Sequence, residues 1–125
     1  MPTLWKSKQP YNINVAASTA AQVSLEHVDE LANVVELLKN ERARLFAALQ
    51  KIPNLKPYPT RSNFILCKVI RGHAAELKMQ LAKNHGVFIR HFNKPGLEDH
   101  IRISVGRPED TDTLLKALKS EVEVS

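Results

Sequence analysis

Between Gly86 and Gly106 the chain reads GVFIRHFNKPGLEDHIRISVG, and this stretch limits the fold more than any other. In HIRISV, strict alternation puts Ile101, Ile103 and Val105 on one face and His100, Arg102 and Ser104 on the other, the pattern of a strand with one buried side. Pro95-Gly96 is a turn signal between two such runs, so strands are predicted over 87–92 and 100–105. With Gly96 at the middle of the turn, Arg90 and Arg102 stand equally far from it and face each other. Like charges directly opposed on a sheet destabilise it. Three resolutions are open at this point: a different register, guanidiniums splayed into water, or an anion that sits near both.

The other elements follow from periodicity and punctuation. Residues 1–11 read as an irregular lead-in, and a helix is predicted to start near Asn12 or Asn14 and run through the alanine-rich VAASTAAQVSL, with Ser24 either capping a second segment or lying within it. From Val28 the apolar positions step by three and four through Leu31, Val35, Leu38, Leu45, Leu49 and Ile52, with Arg42 as the one polar member. That stripe predicts a long amphipathic helix. A coiled-coil dimer is its sharper reading, and packing on a sheet the reading that so short a repeat favours. Arg42 is expected to lay its stem on the core and its head in water. Pro53, Pro57 and Pro59 end the helix. RSNFILCKV reads as a strand, residues 73–85 as a helix closed by Gly86 in the left-handed region, and RPEDTDTLLKALKSEV as a final helix with Pro108 in its first turn. Glu109, Asp110 and Asp112 lie near its positive end and are helix dressing rather than catalytic carboxylates. The last residues are expected to fray.

The order long helix, strand, helix, strand, strand, helix predicts an α+β fold: a small, mostly antiparallel three-stranded sheet with helices on one face, preceded by the long amphipathic helix.

Composition excludes more than it selects. A chain of 125 residues buries a real core but is short for an enzyme carrying a cofactor and its own cleft. The 18 basic residues against 13 acidic give +5, yet they are dispersed among acids rather than grouped, which argues against nucleic acid. One cysteine, Cys67, within an apolar run, excludes an internal disulfide framework and reads as a buried, inert thiol. No stretch has the length of a membrane span and MPTLWKSKQPYNIN has no apolar signal core, so the expectation is a soluble chain without a targeting segment. There is no phosphate-binding glycine loop, no metal-ligand spacing and no nucleophile elbow; the five histidines are scattered, and only His91 and His100 flank a common turn. Catalytic and metal-binding residues are therefore expected to be absent from this chain. What remains is the arginines. A guanidinium held on a rigid strand grips a carboxylate or phosphate through two parallel hydrogen bonds.

KQPYNIN, SNFIL and GVFIRHFNKPGLEDHIRISVGRPEDTDTLLKAL together resemble the C-terminal part of the histidinol-phosphate aminotransferases, fold type I pyridoxal-phosphate enzymes of histidine biosynthesis. The likeness runs from about Trp5 to Leu118. RISVGRPE preceded by IRHF is its most specific part, while the helix over 26–50 is generic. The resemblance implies a lead-in and connecting helix over 1–23 and the aminotransferase small domain over 24–125. It implies that Arg102, in the RIxVG strand, holds the anionic end of the substrate, and that Arg90, in IRHF, is a second anion contact. Further implications are pyridoxal phosphate as cofactor of the full-length enzyme, histidinol phosphate and glutamate as small-molecule substrates, a homodimer, and a cytoplasmic or plastid location. The lysine that carries the cofactor, its aspartate partner and the residues around the cofactor phosphate belong to the family's large domain, and nothing here replaces them. The chain is thus expected to be a fragment that contributes substrate-binding groups, binds no cofactor covalently and is inactive alone.

Two readings from other classes stand beside it: a free-standing small-molecule-binding regulatory module, which requires a saturable ligand, and a nucleic-acid-binding module, which requires binding to random DNA or RNA near physiological salt.

Overall fold

Caps and prolines set where each element begins and ends. The computed structural model describes residues 13–123, so the lead-in read over 1–11 and the frayed end lie outside the described residues. The chain divides into two compact units, Met1–Val35 and Glu36–Ser125.

In the first unit, helix α1 (Val15–Glu26) starts where Asn14 caps it, the side-chain oxygen accepting the Ala17 N–H at 2.8 Å. Ser24 does not cap a new segment. Its hydroxyl donates to the Ala20 carbonyl at 2.7 Å inside the helix, and the break comes at His27. Helix α2 (Val28–Leu49) follows, with Asp29 and Glu30 in its first turn opposing the helix dipole. None of the described residues of α1 is buried, and Val28, Leu31 and Val35 are exposed.

The second unit holds the predicted sheet and one strand more. Its strands are β1 (Leu55–Pro57), β2 (Phe64–Val69), β3 (Arg90–His91) and β4 (His100–Ser104), ordered β1-β2-β4-β3 and antiparallel throughout. The added strand, β1, comes from the proline-rich segment read only as a helix stop. An edge strand tolerates this composition, because Pro57 lies at the strand's end, where the missing N–H costs no ladder bond. Between the strands run α3 (Ala74–His85) and, after β4, α4 (Pro108–Glu123). Gly86 closes α3 at φ +66°, where a residue with a Cβ is strained, and its N–H bonds the Ala82 carbonyl.

One face of the sheet and three helices share a single core. Ile65, Cys67, Val69, Ile101 and Ile103 from the strands pack with Leu45 and Leu49 of α2, Ala74 and Leu81 of α3, and Leu114, Ala117 and Leu118 of α4. Each fully buried leucine or isoleucine contributes roughly 1.5–3 kcal/mol. Only the C-terminal part of the α2 stripe joins this core, through Leu45 and Leu49, while Val28, Leu31 and Val35 stay exposed. Burial pushes the Cys67 thiol up to about 12, which makes it inert near neutrality.

Candidate anion-binding site

The sheet's second face is where the charges lie. Along β4, His100, Arg102 and Ser104 point away from the buried isoleucines, and Phe64, Leu66 and Lys68 of β2 lie opposite Ser104, Arg102 and His100. On the other side of β4, Arg90 pairs with Arg102 and His91 with Ile101. This is the register in which Gly96, at φ +83°, occupies the middle of the turn, so the first of the three resolutions, a different register, falls away.

Each arginine is steadied by a ring rather than by an acid. The Arg102 guanidinium carbon lies 5.1 Å from the centre of Phe64, and that of Arg90 5.4 Å from the centre of Phe92. Among the described residues neither guanidinium has a hydrogen-bond or ion-pair partner, and the Nε of half-buried Arg102 is out of contact with solvent. A buried N–H without an acceptor costs about 1–3 kcal/mol. Both side chains open onto a hollow of about 460 Å³ lined also by Lys78, Phe88, Ile89, His91 and Ser104. Three cations and no carboxylate line it. A phosphate or carboxylate placed there would supply the missing acceptors and offset the repulsion between the opposed arginines.

The two histidines of the hairpin do not meet. His91 donates from Nε2 to the Glu98 carbonyl at 2.8 Å and ties down the turn, whereas His100 stacks on Tyr58 with ring centres 5.8 Å apart. Lys78 and Phe88 were invisible as site residues in the sequence. Lys78 projects from α3 and Phe88 precedes β3, so only the return of the chain past the helix brings them together; the alternation of Phe88 with Arg90 was the one available signal.

The remaining acids are structural. The Glu41 carboxylate accepts Arg44 Nη2 at 2.7 Å and Nε at 3.0 Å, and Arg44 Nη1 reaches Asp112 of α4 at 2.7 Å. The Arg44 hydrogen bonds hold Glu41 below the usual carboxylate range against the opposing effect of burial. The Thr111 hydroxyl lies near enough to favour the same charge without reaching hydrogen-bond geometry. Asp110 caps α4 by accepting the Arg107 N–H at 3.0 Å, which lowers its pKa. Arg42, the stripe's polar member, gives its head to the Ser62 carbonyl at 3.1 Å.

Known proteins resemble the chain in both sequence and fold. The sequence pattern of the family described as aminotransferase class I and II matches residues 4–118. The histidinol-phosphate aminotransferase of Roseiflexus castenholzii is 49% identical over 118 residues, covering 93% of this chain and 32% of that protein. The chloroplastic histidinol-phosphate aminotransferase of Nicotiana tabacum is 51% identical over 117 residues, covering 93% of this chain and 28% of its own length. A crystal structure of the histidinol-phosphate aminotransferase from Clostridium acetobutylicum superimposes with a TM-score of 0.83 at 26% identity, over 94% of this chain and 36% of that one. The chain therefore spans about a third of the length of these relatives. A match that takes in both hairpin arginines, every strand of the second unit and most of its last helix leaves one conclusion: the chain belongs to the class I and II aminotransferase family.

Proposed function

We propose that this chain is the C-terminal part of a histidinol-phosphate aminotransferase, in which residues 1–23 lead in and connect and residues 24–125 form the small domain that grips the substrate's anionic end. The full enzyme, a homodimer, exchanges the amino group between histidinol phosphate and 2-oxoglutarate, giving imidazole acetol phosphate and glutamate. Two relatives near 50% identity and with that name support the reading. The observation that carries the role of this segment is the opposed pair Arg90 and Arg102, which has no acceptor among the described residues.

Pyridoxal phosphate supplies the electron sink in such an enzyme, and the lysine that carries it must be desolvated. Every described lysine of this chain is exposed, so the residues present do not fit the carbon–nitrogen chemistry of the cofactor, and we place that chemistry in the large domain. The segment's own work is binding and orientation. Arg102, leaning on the Phe64 ring, presents a planar fork that donates to either the phosphate of one substrate or a carboxylate of the other. Arg90 completes the charge needed by a dianion. Lys78 adds a third positive charge at the rim of the hollow.

The test is a chimera in which residues 4–118 replace the matching segment of the Roseiflexus castenholzii enzyme. It is expected to load cofactor and transfer the amino group of histidinol phosphate to 2-oxoglutarate. A chimera that folds and loads cofactor yet turns over equally well with both arginines replaced would remove these residues from substrate binding.

A further inference from the structure

On the opposite side of the core, the C-terminal turn of α2 and the middle of α4 leave a cavity of about 650 Å³, larger than the arginine hollow and different in character. Ala48, Ile52, Pro53 and Leu115 are its apolar lining, and the exposed Lys51 and Lys119 line it with them. Arg44 closes one end, but its guanidinium is engaged by Glu41, Asp112 and the Pro108 carbonyl. The two ammonium groups have no hydrogen-bond or ion-pair partner among the described residues, and no carboxylate side chain lines the cavity. This place shares no lining residue with the arginine hollow.

We propose that this groove binds a small amphipathic carboxylate. The volume lies within the roughly 300–1,000 Å³ of small-molecule sites. Apolar walls reward a hydrocarbon body by burying it, while two unpaired ammoniums at the rim attract a single compact anion without demanding the planar bidentate fit that an arginine imposes. A neutral apolar molecule satisfies only the walls, and inorganic phosphate only the rim. A cationic amphiphile is repelled. The occupant is therefore defined by the combination of one negative headgroup with an apolar tail, and it is independent of which substrate the arginine hollow accepts.

Calorimetric titration of the 125-residue chain with dodecanoate, below its micellar concentration, tests this directly, with dodecanol and dodecyltrimethylammonium as matched tails. Saturable one-to-one binding of dodecanoate is expected, at least tenfold tighter than dodecanol, with no binding of the cation. Lys51→Gln combined with Lys119→Gln is expected to weaken dodecanoate at least tenfold and leave dodecanol unchanged. Both lysines are exposed, so far-ultraviolet circular dichroism of the double variant should match the parent. Ala48→Trp, which fills the groove without altering its charge, is expected to abolish binding of both. Equal affinity for acid and alcohol, or undiminished dodecanoate binding in the lysine variant, would overturn the proposal by placing the ligand on other apolar surface. Binding of an acidic amphipathic helical peptide with none of dodecanoate would overturn it in favour of a protein partner.

Discussion

Arg44 and the pair Arg90–Arg102 are the same side chain in two opposite situations. Arg44 bridges α2 and α4 with its donors on Glu41, Asp112 and the Pro108 carbonyl, so its charge is spent on holding two helices together. Arg90 and Arg102 face each other across a ladder, lean on Phe92 and Phe64, and hold no acceptor among the described residues. A guanidinium that is already satisfied is part of the scaffold. One that is placed on a rigid strand, beside a like charge and without an acid among the described residues, is held there by the rest of the core, and its role as a ligand receptor is the proposal to be tested. The difference separates arginines with acid partners from arginines without them, and it needs no reference to any relative.

The comparison breaks first, and most visibly, in turnover. In the chimera, Arg102→Lys is expected to lower kcat/KM for both half-reactions on the order of 100-fold, because an ammonium keeps the charge but loses the planar grip that orients the substrate. Single-turnover kinetics of each half-reaction would show it. An Arg102→Lys enzyme with unchanged rates would make this arginine no more than surface charge. Arg90→Ala should be selective. Losing one charged hydrogen bond costs roughly 1.5–3 kcal/mol for the phosphate substrate, with a smaller loss for glutamate. Equal losses for the two substrates would contradict the dianion role.

Arg44→Ala sharpens the other side. It is expected to lower the thermal midpoint of the chain by several degrees, since it leaves the nearly buried Glu41 carboxylate without its main partner, and to leave anion binding at the hollow intact. The acid limb follows from the same pair. Glu41 titrates in the folded chain below its ordinary value of 4.5, so its stabilisation is complete above that pH and is lost as pH falls through the depressed value. Denaturant midpoints measured between neutrality and pH 3 should fall in the parent and fall less steeply in Arg44→Ala. Identical slopes would mean that the Glu41–Arg44 pair contributes nothing to folding.

The smallest effect runs in the opposite direction. Arg102→Leu removes a like charge from a directly opposed pair and a buried N–H without an acceptor, so it is expected to leave stability unchanged or raise it by a few tenths to about 1 kcal/mol. A clear loss in urea titration would show that Arg102 contributes to the scaffold as Arg44 does.

Much of this was legible in the sequence because the hairpin is local. Gly96 sets the register, alternation sets the faces, and together they placed Arg90 against Arg102 before any coordinates. The extra strand β1 was not legible, since three prolines within a few residues argue against a strand unless it lies at an edge, and edge position is a property of the whole sheet. The buried acid was missed for a related reason. The stripe on α2 drew attention to Arg42, whereas the polar residue taken into the interior is its neighbour Glu41, and the Asp112 that completes the cluster is supplied by a helix far along the chain. Lys78 and Phe88 join the hollow only through tertiary packing.

The central claim is that Arg90 and Arg102 form a receptor for an anion while Arg44 does not. Titration of the chain with inorganic phosphate, followed by nitrogen-15 resonances of the arginine Nε–H groups, tests it residue by residue. Saturable shifts are expected at Arg102 and Arg90, with Arg44 unmoved at the same concentrations and the Arg102 response lost in Arg90→Ala. Arginine signals that all drift together without saturation, or an Arg44 signal that moves while Arg102 stays still, would contradict it.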